Sequence, residues 1–123
     1  MSLPDVIRLQ EKFDLFSEHW QPKVIGELNG QHIRLAKISG EFVWHSHEHE
    51  DELFMVMQGK LLMRFRDGER RVGVGEMIIV PRGVEHLPVA ESGEVWIMMF
   101  EPAGTLNTGN VVNERTVSQP ERV

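Results

Sequence analysis

Four of the six histidines fall in two short windows, Trp44-His45-Ser46-His47-Glu48-His49 and Val84-Glu85-His86, and Glu52 follows the first. Residues two apart on a strand project to the same side. His45 and His47 can therefore converge on one ion with no loop between them. His86 follows Pro81-Arg82-Gly83, a turn that starts another run of strand-forming residues. Three imidazoles and one carboxylate suit a first-row divalent metal: iron, manganese, nickel, zinc or copper. With no sulfur donor, the set does not distinguish among them. Four protein ligands leave positions open on a six-coordinate ion for water, substrate or dioxygen. His49 has the parity of His47 but sits nearer the turn, and reads as a loop or pocket-rim residue. His19 and His32 lack partners in sequence and read as structural. Glu85 and Trp44 have the opposite parity to their histidine neighbours and should point away from the ion.

These side chains need a frame. Residues 5–16 carry apolar side chains three and four apart (Val6, Leu9, Phe13, Phe16), which predicts a short amphipathic helix ended by Trp20-Gln21-Pro22. From Val24 onward the chain reads as short strands broken by glycine. The expected strands are 24–28, 32–38, 41–47, 52–57, 60–66, 69–74, 77–80, 85–89 and 95–100. Turn signals stand at Asn29-Gly30, Ser39-Gly40, Gln58-Gly59, Asp67-Gly68 and Arg82-Gly83. Many short strands with regular turns predict an all-β barrel or sandwich. The division expected is a helical arm over 1–22, a barrel over 23–102 and a polar tail over 103–123.

A two-residue turn at Asp67-Gly68 would pair Arg66 with Glu69, Arg64 with Arg71, Met63 with Val72 and Leu61 with Val74. One face is then apolar and the other charged, so the arginines read as solvated barrel wall. A second two-residue turn at Gln58-Gly59 would pair Val56 with Leu61, Phe54 with Met63 and Glu52 with Phe65. Glu52 then points into the apolar interior, where a carboxylate needs a partner, and a cation is one such partner. Inward residues Val43, Phe54, Val56, Met63 and Phe65, with His49 at the rim, form the expected pocket. On the outward face Leu53, Met55, Met57 and Leu62 are too apolar for open solvent. Either the N-terminal helix covers them or a second subunit does, and a homodimer is the expectation.

At these residues the chain resembles the cupin superfamily. Gly40, His45, His47, Glu52 and Gly59 match its first motif, with Gly40 one residue closer to His45 than usual. Gly75, Pro81, Gly83 and His86 match its second, with Ala90 in place of a terminal asparagine. The resemblance implies a single double-stranded β-helix (jelly-roll) barrel with a metal on His45, His47, Glu52 and His86. It is specific for fold and metal and not for reaction. Small cupins include dioxygenases, isomerases, epimerases, lyases and proteins that only bind, and the first motif also looks like small cupins labelled mannose-6-phosphate-isomerase-like.

Composition narrows the classes. At 123 residues the chain suits one domain. It has no cysteine, which excludes disulfides, thiolate sites and a cysteine nucleophile, and no tyrosine to act as an acid. Proton transfer must then use histidine, a carboxylate or metal-bound hydroxide. The net charge of −6 argues against a nucleic-acid partner. No apolar run approaches the roughly 20 residues needed to span a bilayer. The N-terminal residues lack the basic and apolar blocks of a secretory signal, and a cytoplasmic location is expected.

Three functions fit these residues. The first is a metal-dependent enzyme using oxygen or Lewis-acid chemistry on a small organic molecule. The second is a sugar-phosphate isomerase, which needs inward basic residues, with Arg34, Lys37 and Arg82 as the candidates. The third is a non-catalytic module that holds a small ligand on its metal.

Overall fold

A computed structural model describes residues 3–123 of the chain. Its elements are a one-turn helix α1 (Leu9–Phe13) and eight strands. The strands are β1 (Lys23–Leu28), β2 (Gln31–Glu41), β3 (Glu52–Gln58), β4 (Leu61–Phe65), β5 (Gly68–Val72), β6 (Met77–Val80), β7 (His86–Pro102) and β8 (Glu121–Arg122). No helix among the described residues is long and apolar enough to cross a membrane.

Strand β7 organises the sheet. Its first residues pair with β4, from Phe65↔His86 to Leu62↔Val89. Its last half lies between β2 and β3, with Ala36↔Ile97 on one side and Val56↔Ile97 on the other. The side chains that face inward alternate along each strand: Ala36 and Ile38 on β2, Phe54 and Val56 on β3, Val95, Ile97 and Met99 on β7. With Leu61, Met63, Val72 and Val80 they form the buried core. The expected jelly-roll barrel is therefore present, with a helix at its N-terminal side.

Several local expectations are corrected. The helix starts at Leu9 rather than near Asp5, and Val6 and Ile7 are exposed. The β4–β5 turn sits at Arg66-Asp67, so Phe65 pairs with Gly68, Met63 with Arg70 and Leu61 with Val72. This register differs from the expected one by two residues, which leaves each side chain's face unchanged and carries Val74 beyond the ladder. The expected β3–β4 hairpin does not form, because β3 pairs with β6 and β7 instead. Gly59 shows why the chain leaves β3 there. It has φ +83°, and an added Cβ would lie 2.9 Å from the Glu94 carbonyl oxygen on β7. Of the run expected at 41–47, Glu41 ends β2, and residues 42–47 form only an isolated bridge at His45. The two runs expected at 85–89 and 95–100 are one strand.

The N-terminal segment packs on the outside of the barrel. Phe13 and Phe16 bury Leu35 and pack against Met57, Trp96 and Met98, with Phe13 stacked on Trp96 at 4.7 Å. The segment after Pro102 returns along the barrel. Arg34 donates to the carbonyls of Ala103 and Thr105, and β8 adds in parallel to β1.

Candidate metal centre

Two backbone stitches bring the histidine windows together. His45 and His86 exchange both main-chain hydrogen bonds, at 3.1 and 2.9 Å, as one antiparallel pair. Gly83 N then donates to His47 O at 2.7 Å, and Arg82 N to the Asp51 carboxylate at 2.9 Å. Strand β3 supplies Glu52 from its first residue, inward by the same alternation as Phe54 and Val56.

The four side chains are buried, and one ligand atom from each lies within 4.8 Å of every other. Imidazole rings 45 and 86 are 4.2 Å apart between centroids. Glu52 Oε1 is 2.8 Å from His47 Nε2 and 3.3 Å from His86 Nε2. His45 Nδ1 is 2.9 Å from the Val43 carbonyl, and His86 Nδ1 is 2.9 Å from that of Val84. A carbonyl only accepts, so each Nδ1 carries the proton and each Nε2 presents its lone pair. Both nitrogens of His47, His86 Nε2 and Glu52 Oε1 are buried without a partner in hydrogen-bond geometry. Buried polar atoms left in that state are costly. A divalent cation among them would meet lone pairs from every side, so the residues fit a metal and could hold one.

Electrostatics agree with that fit. Burial, and next the proximity of His86, lowers the pKa of His45 to about 4. It is therefore neutral at pH 7, as a metal ligand must be. Burial alone would raise the pKa of Glu52. The Glu101, His47 and His86 side chains around it outweigh burial and hold it below the usual carboxylate range. Glu101 shows the opposite balance. Burial first, and the Glu52 charge second, raise its pKa well above the usual carboxyl range against the pull of Arg34.

A small cavity of about 40 Å³ opens beside the cluster, and His45, Glu52 and Phe54 reach its wall. Among the expected pocket residues, Val56 and Met63 are core side chains away from this wall, and Phe65 packs against the same core. Val43 packs with Phe42, Leu62, Leu87 and Val89. His49 is exposed, 78% at its side chain, close to Glu48. Trp44 and Glu85 point away as expected, with the Arg66 guanidinium stacked 4.0 Å over Trp44 and hydrogen-bonded to Glu85. His19 pairs with Glu94 on the surface, and His32 is buried against Arg34.

Sequence reasoning missed Glu101. It stands one position past the Leu53↔Phe100 pair, which sets it opposite Glu52. Its alternation with Val95, Ile97 and Met99 marked it as inward, but its neighbour could be known only once β3 was seen to pair with β7. Trp20 and Phe42, stacked at 4.6 Å on the cavity wall, were likewise unassigned.

The chain is similar to known proteins. A 63-residue stretch is 41% identical to the uncharacterized protein YdbB of Bacillus subtilis (strain 168), covering 50% of this chain and 56% of that one. The chain thus spans little more than half of that relative. The crystal structure of a cupin-2 domain containing protein from Shewanella frigidimarina superposes with TM-score 0.77 at 48% identity, over 79% of this chain and 94% of that one. A structure from Silicibacter pomeroyi, described as a sugar phosphate isomerase from a cupin superfamily, shares the fold. It is 20% identical with TM-score 0.55, over 63% of this chain and 53% of that one. The cupin domain model matches residues 31–100, which span every residue of the cluster and most of the barrel that holds it, and the chain belongs to the cupin family.

Proposed function

We propose that the chain is a metal-dependent enzyme acting on a compact, largely apolar organic molecule held beside a divalent ion on His45, His47, Glu52 and His86. The observation that carries this reading is the buried convergence of four ligand atoms next to a cavity walled mainly by apolar side chains. A bound divalent ion would supply Lewis acidity toward a substrate oxygen, or a binding position for dioxygen. The protein's own contribution is orientation and dryness. The Val43 and Val84 carbonyls fix the His45 and His86 tautomers. Trp20, Phe42 and Phe54 shape the cavity and exclude water. Glu101 stands next to Glu52, and burial raises the pKa of its carboxyl.

The isomerase reading needs a basic group in the cavity, and its candidates are engaged elsewhere. Arg34 is buried and spends its guanidinium on His32, Glu101 and two carbonyls. Lys37 donates to Phe16 O on the outer side of the barrel, and Arg82 pairs with Asp51. Among the described residues no lysine or arginine lines the cavity itself, while the Arg115 guanidinium lies over the Trp20 and Phe42 rings of its wall. The S. pomeroyi likeness is one of fold alone.

We also infer a homodimer. Leu53↔Ile79 and Met55↔Met77 put four apolar side chains on the outer face of β3 and β6, with Ile79 and Met77 more than half exposed. Helix α1 covers Met57 and leaves this patch open, while Leu62 is buried under Leu87 and Val89. A second copy packed by two-fold symmetry would set the same apolar face on itself.

The test of catalysis is turnover. Protein loaded with iron(II), manganese or nickel is assayed for oxygen uptake and product formation with small diketones, phenols and hydroxy acids. Metal-dependent turnover of one class is expected. Silence across the panel, with tight binding of one compound, would instead favour the non-catalytic module, and turnover confined to phosphorylated sugars the isomerase.

A further inference from the structure

The cavity wall carries few polar side chains: His45, Glu52, Glu101 and Asn107. The first two belong to the metal cluster. Asn107 is committed to its own segment, donating to Arg115 O and accepting from Val117 N. Glu101 is different. It is 1% exposed, and Arg34 Nη1 holds its Oε1 at 3.0 Å. Its Oε2 is buried, and beyond the neighbouring Glu52 carboxyl it faces no donor among the described residues. A pinned, partly unsatisfied carboxyl in an otherwise apolar cavity is the kind of group that fixes ligand orientation.

We propose that Glu101 is a specificity-determining residue that hydrogen-bonds a hydroxyl group of a neutral, compact substrate, adjacent to the substrate oxygen that faces the metal ligands. This rests on the metal reading above. A hydroxyl both donates and accepts, so it pairs with Glu101 whether or not that group carries its proton. Among the described residues no lysine or arginine stands on the wall itself, and the Arg115 guanidinium lies over the Trp20 and Phe42 rings at 5.4 and 5.7 Å, so the wall favours an uncharged ligand. A site built around a buried hydrogen-bonding group rejects the analogue that lacks the hydroxyl, because the protein group is then left unpaired.

Two probes separate this from general binding: pyrogallol, and 3-methylcatechol, which replaces one hydroxyl by a methyl of similar size. Both offer the same pair of oxygens to a metal. Their affinities for the zinc-loaded protein are measured anaerobically by calorimetry, with zinc content determined on every sample. The wild type is expected to prefer pyrogallol by roughly tenfold, the value of one hydrogen bond. Glu101→Gln keeps an acceptor for Arg34 and should shrink that preference. Glu101→Leu should abolish or reverse it, and Arg34→Met/Glu101→Leu serves if the single variant fails to fold. Zinc stoichiometry should not change in these variants. Zinc bound with no preference for pyrogallol, or a preference untouched by both Glu101 variants, would overturn the assignment of Glu101 alone. Failure of the wild type to bind zinc would overturn the metal reading, and this proposal with it.

Discussion

His45 ties the chemistry of the cluster to the stability of the fold. Burial holds its pKa at about 4, while an unfolded histidine titrates near 6.5. Between those values the unfolded chain binds a proton that the folded, metal-free chain refuses, so stability rises with pH across the window. The metal-free protein should therefore lose up to about 3 kcal/mol as pH falls from about 6.5 to about 4. Urea midpoints measured across that range check this, and a flat profile would contradict it. Glu52→Gln should weaken metal binding by at least about tenfold, since the amide lacks the charge that offsets the ion. The side chain stays nearly isosteric, so titration of manganese into folded variant is the measurement. Glu52 was legible in the sequence because strand parity belongs to the strand itself, whereas His45 and His47 lie outside any strand and His45 is placed by its bridge to His86. Glu52 faces inward whether β3 pairs with β4, as its turn suggested, or with β6 and β7, as it does. Glu101 was not legible as its neighbour, since that contact depends on which distant strands meet.

The element that most constrains the site's surroundings is the returning C-terminal segment. Ser46, between the two histidines of the first window, exchanges hydrogen bonds with Asn110 at 2.9 and 3.0 Å. Gly109 beside it has φ +55°, and a Cβ there would run into the Ser46 carbonyl and the His45 ring. Gly109→Ala should cost at least about 1 kcal/mol locally. Faster amide exchange at Asn110, with exchange in the β7 core unchanged, is the expected result. Arg34 anchors the start of the same segment. Replacing it with Met strands a buried carboxyl and frees two carbonyls, and should destabilise the fold by about 3–5 kcal/mol in denaturant unfolding. Little of this segment could be read from sequence, because its polar composition records what it hydrogen-bonds to only after the barrel is in place. The β4–β5 register slipped for a related reason. Asp67-Gly68 signals a turn, but the ladder closes one residue earlier, at Arg66-Asp67.

At the scale of the molecule, the barrel presents two faces with different uses. Its interior holds the His45, His47, Glu52 and His86 cluster and the cavity, and its outer β3–β6 face holds an apolar patch. Ile79→Glu, on a side chain 57% exposed, should leave the fold intact and convert a sedimenting dimer to a monomer. A wild-type monomer, or a variant that stays dimeric, would contradict the homodimer. The overall class was legible because short alternating runs and closely spaced glycines admit few folds other than a barrel or sandwich. The non-local pairing of β3 with β7 was not, since local turn chemistry carries no information about it. We propose that one ion sits among His45, His47, Glu52 and His86. The direct measurement is anomalous diffraction from crystals of the purified protein, collected at the absorption edge of the metal found in it. A single strong peak is expected within bonding distance of His45 Nε2, His86 Nε2, a His47 nitrogen and a Glu52 oxygen. A metal-replete crystal with no anomalous peak among these four side chains would contradict it.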